Sequence, residues 1–191
     1  MWTPFNYFIG SWHGSGKGQV GHSRVERKYE FVLNNKFLFV QNKSIYEPQE
    51  KNPDGEIHED WGLMSYDRAR ETYVFRQFHT EGFVNQYLLE RIADDGQSIS
   101  FVSEEIENIS AGWKAKESYR IVGPDEFVEV FELASSGKEF EIYSENRFQR
   151  VNLRRHFEIV IGEAIYVVRD EREFHLVPCD KHIWVVIGAF D

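Results

Sequence analysis

Arg27 and Glu117 are the two charged residues that stand where apolar ones are expected. Val25, Tyr29, Phe31 and Leu33 share the parity of Arg27, and Trp113, Ala115, Tyr119 and Ile121 share that of Glu117. In extended chain, each charge then faces the same way as its apolar neighbours. A buried charge is costly unless paired, so the two residues are expected to meet each other or to meet a ligand. A guanidinium fork suits a carboxylate head group. A structural ion pair, or a residue near an opening that reaches water, is the preferred reading, because one bulge reverses strand parity.

Other constellations are weaker. Asp94-Asp95 falls in a turn signal and Glu104-Glu105 are strand neighbours that face opposite ways, so neither makes an acid/base dyad. No serine sits in a GxSxG elbow, and Cys179, with His175 and His182 nearby in sequence, lacks the spacing of a Cys-His pair facing across a gap. No catalytic residue and no metal site is expected. His58, in Ile57-His-Glu-Asp-Trp61, is read as a strand-start residue that caps or pairs.

A stretch with glycine at alternate positions raises a different possibility. Gly10-Ser-Trp-His-Gly-Ser-Gly-Lys-Gly18 places Gly14, Gly16 and Gly18 on the same face as Trp12. Glycine adds no buried area and weakens a strand. Three on one inward face therefore suggest a void beside that wall, with strand bending as the rival explanation. The expected ligand contacts are Trp12, Gly14, Gly16, Gly18, Arg27, Tyr29, Phe31, Trp113 and Glu117. Phe37, Phe39, Phe75, Phe83, Tyr87, Phe101, Phe127, Phe131 and Phe148 are expected to share the interior, most of them simply as core.

The elements that would carry these groups are short and extended. Thr3 as N-cap with Pro4 at the first helical position predicts a helical turn. Strands follow near 11–20, 23–33, 36–46, 57–66, 72–78, 83–90, 98–106, 111–121, 126–133 and 139–150. Turn signals separate them, including Asn34-Asn35, Asn52-Pro-Asp-Gly55, Asp94-Asp-Gly96 and Gly123-Pro-Asp125. Ten strands joined by tight turns form an antiparallel meander, and closing it into an up-and-down barrel removes its edges. The fold class is all-β.

Composition agrees with one well-buried domain and excludes several partners. The chain has 191 residues, 41% hydrophobic and 16% aromatic, with a formal charge of −10. That balance argues against nucleic acid or an anionic membrane, which reward clustered Lys and Arg. A single cysteine excludes an intrachain disulfide and fits a reducing compartment, so a cytoplasmic location is expected. The start MWTPFNYFIG has neither a basic n-region nor a long apolar run, and no window approaches the roughly 20 apolar residues of a membrane span.

The opening FNYFIGSWHGSGKG resembles the start of the nitrobindin-like and fatty-acid-binding-protein-like barrels of the calycin group. Arg27-Lys-Tyr-Glu-Phe-Val-Leu-Asn-Asn-Lys-Phe-Leu38 and Gly62-Leu-Met-Ser-Tyr-Asp67 followed by Tyr73 are similar to segments of an uncharacterised bacterial lipocalin-like family in the same group. The resemblance runs through Arg150. It implies a ten-stranded barrel, closed at one end by the N-terminal turn, that holds a small hydrophobic, lipid-like molecule as a non-enzymatic carrier or sensor. The nitrobindin branch carries haem on a histidine of its last barrel strands, whereas Phe140–Arg150 contains no histidine. That leaves His156 and Tyr143 as weak candidates for an iron ligand and makes haem the second reading. An isomerase or cyclase acting on an apolar substrate is the third.

Residues 152–191 lie beyond the resemblance and read as a β-rich extension, with extended segments near 156–168, 173–177 and 183–190. A run such as Ile183-Trp-Val-Val-Ile187 would invite edge pairing if left bare. The extension is expected to pack on the barrel, with homodimerisation through it as the rival.

Overall fold

The computed structural model describes residues 2–151 in full and, beyond them, the backbone of His156–Ile161 and Ala164–Arg169. The chain divides into two compact units, Met1–Val151 and Asn152–Asp191. The first is a closed, ten-stranded antiparallel barrel in which every strand pairs with its sequence neighbours and β1 also pairs with β10. Its strands are β1 (Gly10–Gly18), β2 (Gly21–Val32), β3 (Phe37–Tyr46), β4 (Glu56–Asp67), β5 (Thr72–His79), β6 (Val84–Ile92), β7 (Ser98–Glu107), β8 (Lys114–Gly123), β9 (Glu126–Ala134) and β10 (Glu141–Arg150). The expected ten strands and their order are therefore present. Among the described residues no helix is long and apolar enough to cross a membrane.

A 3-10 helix, Thr3–Phe8, closes one end. Its cap is Trp2 rather than Thr3, and no side chain caps there, because the indole N–H can only donate; it donates to the Asn35 carbonyl at 2.9 Å. The far end of this plug is fixed by Arg150, which donates to the carbonyls of Tyr7 (2.6 Å) and Ile9 (2.8 Å) while its guanidinium lies 4.0 Å from the Trp12 ring centroid. Trp12 in turn donates to the Phe8 carbonyl at 2.7 Å.

Beneath the plug the barrel is filled. Phe5 and Phe8 pack edge-on against Tyr73, Tyr119 and Phe127, over Leu38, Val40, Met64, Phe75, Ile99 and Phe101. The residual void there is about 10 Å³, room for one water at most. Phe75, Tyr87, Phe101, Phe127 and Phe148 belong to this core as expected. Phe37 and Phe39 do not. On β3 the inward set is Leu38, Val40, Asn42 and Ser44, so Phe39 meets Trp61 on the outer wall. Leu33, expected inside, is 69% exposed, because β2 ends at Val32 and Leu33 opens a turn of three left-handed residues.

Within Asn152–Asp191, the segment expected as one extended run over 156–168 is two strands. β11 (His156–Ile161) pairs antiparallel with β12 (Ala164–Arg169), from His156↔Arg169 to Ile161↔Ala164. The segments near 173–177 and 183–190, with Cys179, His175 and His182, lie outside the described residues.

Candidate functional site

Alternation along each strand carries more than apolar residues inward. One layer beyond the aromatic core, β2 to β4 turn in Arg27, Asn42 and Asp60, β5 to β7 turn in Gln77, Asn85 and Ser103, and β8 to β10 turn in Glu117, Glu129 and Asn146, all buried. The result is a polar belt across the middle of the barrel. Beyond it the interior opens into a cavity of about 410 Å³. Part of its wall is apolar, with Phe83, Ile106, Ile109, Trp113, Phe131 and Leu133, and another part carries Glu56, His58, His79 and Glu81. The two halves of one barrel are thus unlike, one packed to the limit and the other open.

Arg27 and Glu117 both face inward, yet they do not pair with each other. The partner of Arg27 is Glu129, which accepts from its two terminal nitrogens at 2.6 and 3.0 Å. Its Nε donates to Asn42 at 3.1 Å and Nη1 to the Tyr29 hydroxyl at 3.2 Å. Burial works against the Arg27 charge, but Glu129 together with Tyr29, Tyr119 and Asp60 outweighs it, and the guanidinium is more firmly protonated than usual. Asn146 donates to Glu129 at 2.9 Å. With four of its donors engaged, Arg27 is committed to the barrel wall and is not a free anchor for a carboxylate.

Glu117 is the unusual member of the belt. It accepts from the Tyr119 hydroxyl and has no salt-bridge partner among the described residues. Burial, reinforced by the Glu129 carboxylate, pushes its carboxyl up to about 8, so at neutral pH it is an acid able to donate a hydrogen bond. Gln77 Oε1 is buried with no hydrogen-bond partner among the described residues. Asp60 is held below the usual carboxylate range despite its burial, by His58, by Arg27 and by the Asn42 amide, which donates at 2.6 Å.

The other expected contacts fall as follows. Trp113 lines the cavity, as do Arg27 and Glu117. Trp12, Tyr29 and Phe31 belong to the closed end or its margin. Gly14, Gly16 and Gly18 do share the inward parity of Trp12, but the void expected beside them is absent. A Cβ at Gly14 would overlap the Arg147 carbonyl, one at Gly18 the Tyr143 carbonyl, and one at Gly16 the side chains of Asn146 and Ser23. The glycines let β10 approach β1 closely, and the cavity lies elsewhere. Of the iron-ligand candidates, Tyr143 lines the cavity, but burial and nearby Tyr46 and acidic groups raise its phenol. That works against the phenolate a haem iron would need. His156 lies on β11, whose side chains are outside the description.

Glu129, Gln77, Asn85 and His79 are site residues that sequence reading did not single out, and His58 was read there only as a strand-start residue that caps or pairs. A signal existed for three of them. Glu129 sits two residues from both Phe127 and Phe131, Gln77 two from Phe75, and Asn85 two from both Phe83 and Tyr87. The same alternation that flagged Arg27 and Glu117 therefore includes them.

No protein-family model and no curated protein sequence matches the chain. Among solved structures, the barrel is similar to Rv2717c from M. tuberculosis, with a TM-score of 0.57 at 17% identity over 79% of this chain and 97% of that one. A de novo designed fluorescence-activating β-barrel (14% identity, TM-score 0.39, covering 76% of this chain and 94% of that one) and a redesigned β-barrel (11%, 0.40, covering 76% and 93%) also match. At these identities the likeness to Rv2717c establishes the fold alone, a closed antiparallel β-barrel.

Proposed function

We propose that the protein is a non-enzymatic carrier or sensor that binds one small amphipathic molecule in the open half of its barrel. The ligand's apolar body lies against Phe83, Ile106, Trp113 and Phe131, and its polar end meets the belt, donating to Gln77 Oε1 and accepting from the protonated Glu117. The observation that carries this reading is the contrast between the halves. A void of about 10 Å³ on one side and about 410 Å³ on the other means the sequence can fill this barrel and fills only half. A buried ion pair such as Arg27 with Glu129 can often be replaced by apolar residues without loss of stability. A belt of such groups beneath an open cavity is better explained by recognition than by stability. The cavity volume lies within the range of small-molecule pockets.

An isomerase or cyclase would need a free base opposite the Glu117 acid. The nearest carboxylates, Glu129 and Asp60, are held by Arg27 and by Asn42 with His58, which supports binding over turnover. The test is titration with Nile red, a neutral polarity-sensitive dye, on wild type and on Ser144→Phe, which fills the cavity from β10. Wild type should bind one dye per chain, and the variant should bind at least about tenfold more weakly, about 1.4 kcal/mol, at an unchanged melting temperature. Equal affinity in both proteins, or no uptake by wild type, overturns the proposal.

A further inference from the structure

The rim of the cavity brings together side chains that stand just outside the belt and touch it through Asp60 and Asn85. His58 lies two residues outside Asp60 on β4, His79 is the cross-strand partner of Asp60 on β5, and Glu81 follows two residues on. One sector of the mouth thus collects two imidazoles and a carboxylate, each able to offer one ligand atom, all within 4.8 Å of one another. We propose that His58, His79 and Glu81 bind a divalent transition-metal ion of the zinc class, with an open coordination position facing the cavity.

Three features support this. The first is spacing. Ligand atoms around a tetrahedral ion with bonds near 2.1 Å stand about 3.4 Å apart, and here His58 Nδ1 lies 2.7 Å from Glu81 Oε1, with one ligand atom from each of the three residues within 4.8 Å of the others. Side-chain rotations of roughly an ångström convert these contacts into ligation, which is feasible at a half-exposed rim. The second is support behind the ligands. Metal-binding imidazoles are usually oriented through their other nitrogen by a carboxylate or an amide. Asp60 Oδ2 stands 3.4 Å from His58 Nε2, fixed by the Asn42 amide at 2.6 Å, and the Asn85 amide stands 3.1 Å from His79 Nε2. The third is composition. Two nitrogen donors and one oxygen favour zinc, cobalt or nickel over calcium or magnesium. Three protein ligands beside a cavity also leave room for a water or a ligand atom on the ion. The site does not depend on the organic ligand proposed above.

The test is titration of the tag-free full-length chain with Co²⁺ alone, followed by absorbance and then by competition with Zn²⁺. Wild type should bind one Co²⁺ per chain with the visible absorption of a four- or five-coordinate ion, and equimolar Zn²⁺ should bleach it. His79→Ala and Glu81→Gln should each weaken binding by at least about tenfold while melting as wild type does without metal. Absence of the absorption in wild type shows that the cluster is held only by the proton of His58 and overturns the proposal. So does a signal retained in both variants, which places the metal elsewhere on the chain. Nile red uptake by metal-free wild type is measured separately, so loss of one reading leaves the other standing.

Discussion

At the scale of single residues, two positions have roles opposite to those their types suggest. Glycines on an inward face invite a cavity, but at Gly14 the space is taken by the backbone of β10, which cannot move without breaking the β1–β10 ladder. Gly14→Ala should therefore lower stability by about 1–3 kcal/mol or more. Gly16→Ala, which meets the ends of the Asn146 and Ser23 side chains, should cost less. Thermal melts of the two variants give the order, and a Gly14→Ala protein as stable as wild type would show that β10 is not held where it is described. Glu117 is the second case. Facing Tyr119 on its own strand, Glu129 on β9, Arg27 on β2, Asp60 on β4 and Tyr87 on β6, its carboxyl titrates near 8 when folded, against an ordinary value of 4.5. Between those two values the unfolded chain has released the proton and the folded one has not. The contribution of this carboxyl to stability thus falls as pH rises from about 5 to 8, and above 8 the full penalty is present, while His79, lowered from 6.5 mainly by burial, contributes with the opposite sign below 6.5. His58, raised to about 9 from 6.5 mainly by hydrogen bonds to Asp60 and Glu81 that overcome its burial, adds its own loss between 6.5 and 9. Comparison with Glu117→Gln isolates the carboxyl. Denaturant midpoints of the variant should decline less over pH 5–8, and parallel curves would contradict a buried protonated acid.

At the scale of elements, the plug decides which half of the barrel is solid. Its 3-10 helix is too short to be stable alone, and it holds its place through Trp2, Tyr7 and Phe8. The Tyr7 hydroxyl sits 2.8 and 2.9 Å from the carbonyls of Gly123 and Glu126, and the Phe8 ring meets Tyr29, Tyr119 and Phe127. Phe8→Ala removes the ring at the centre of that cluster and should cost about 3–5 kcal/mol. The variant should still fold as a barrel, because the strand ladder does not pass through the plug. A change below about 1 kcal/mol in denaturant unfolding would mean that the plug merely rests on the core.

At the scale of the whole molecule, closure makes the barrel self-sufficient. β1 and β10 pair over seven residue positions, from Trp12↔Arg150 to Gly18↔Ser144, so no edge of the ten-stranded sheet needs a further strand. A chain ending at Val151 should consequently unfold in one cooperative transition and bind Nile red as the full chain does. Loss of either property on removal of residues 152–191 would assign those residues a part in the barrel's stability or in its site.

Sequence alone determined the ten strands, their antiparallel order and the inward direction of Arg27 and Glu117, because turn residues and a period of two are local properties. The same local rule misplaced Phe37 and Phe39 once the parity of β3 was taken one residue out of step, since a period of two turns every such error into a change of face. Three matters waited for the tertiary structure. Which charge meets which depends on the stagger of a closed barrel, and that stagger brings Glu129, 102 residues away in the chain, onto Arg27. Whether a glycine borders space or backbone depends on how closely β10 coils against β1. The convergence of His58, His79 and Glu81 depends on the pairing of β4 with β5 and on the path of the turn that follows. Each is a distance between strands, and a distance between strands is set by closure of the sheet rather than by the residues of any one strand.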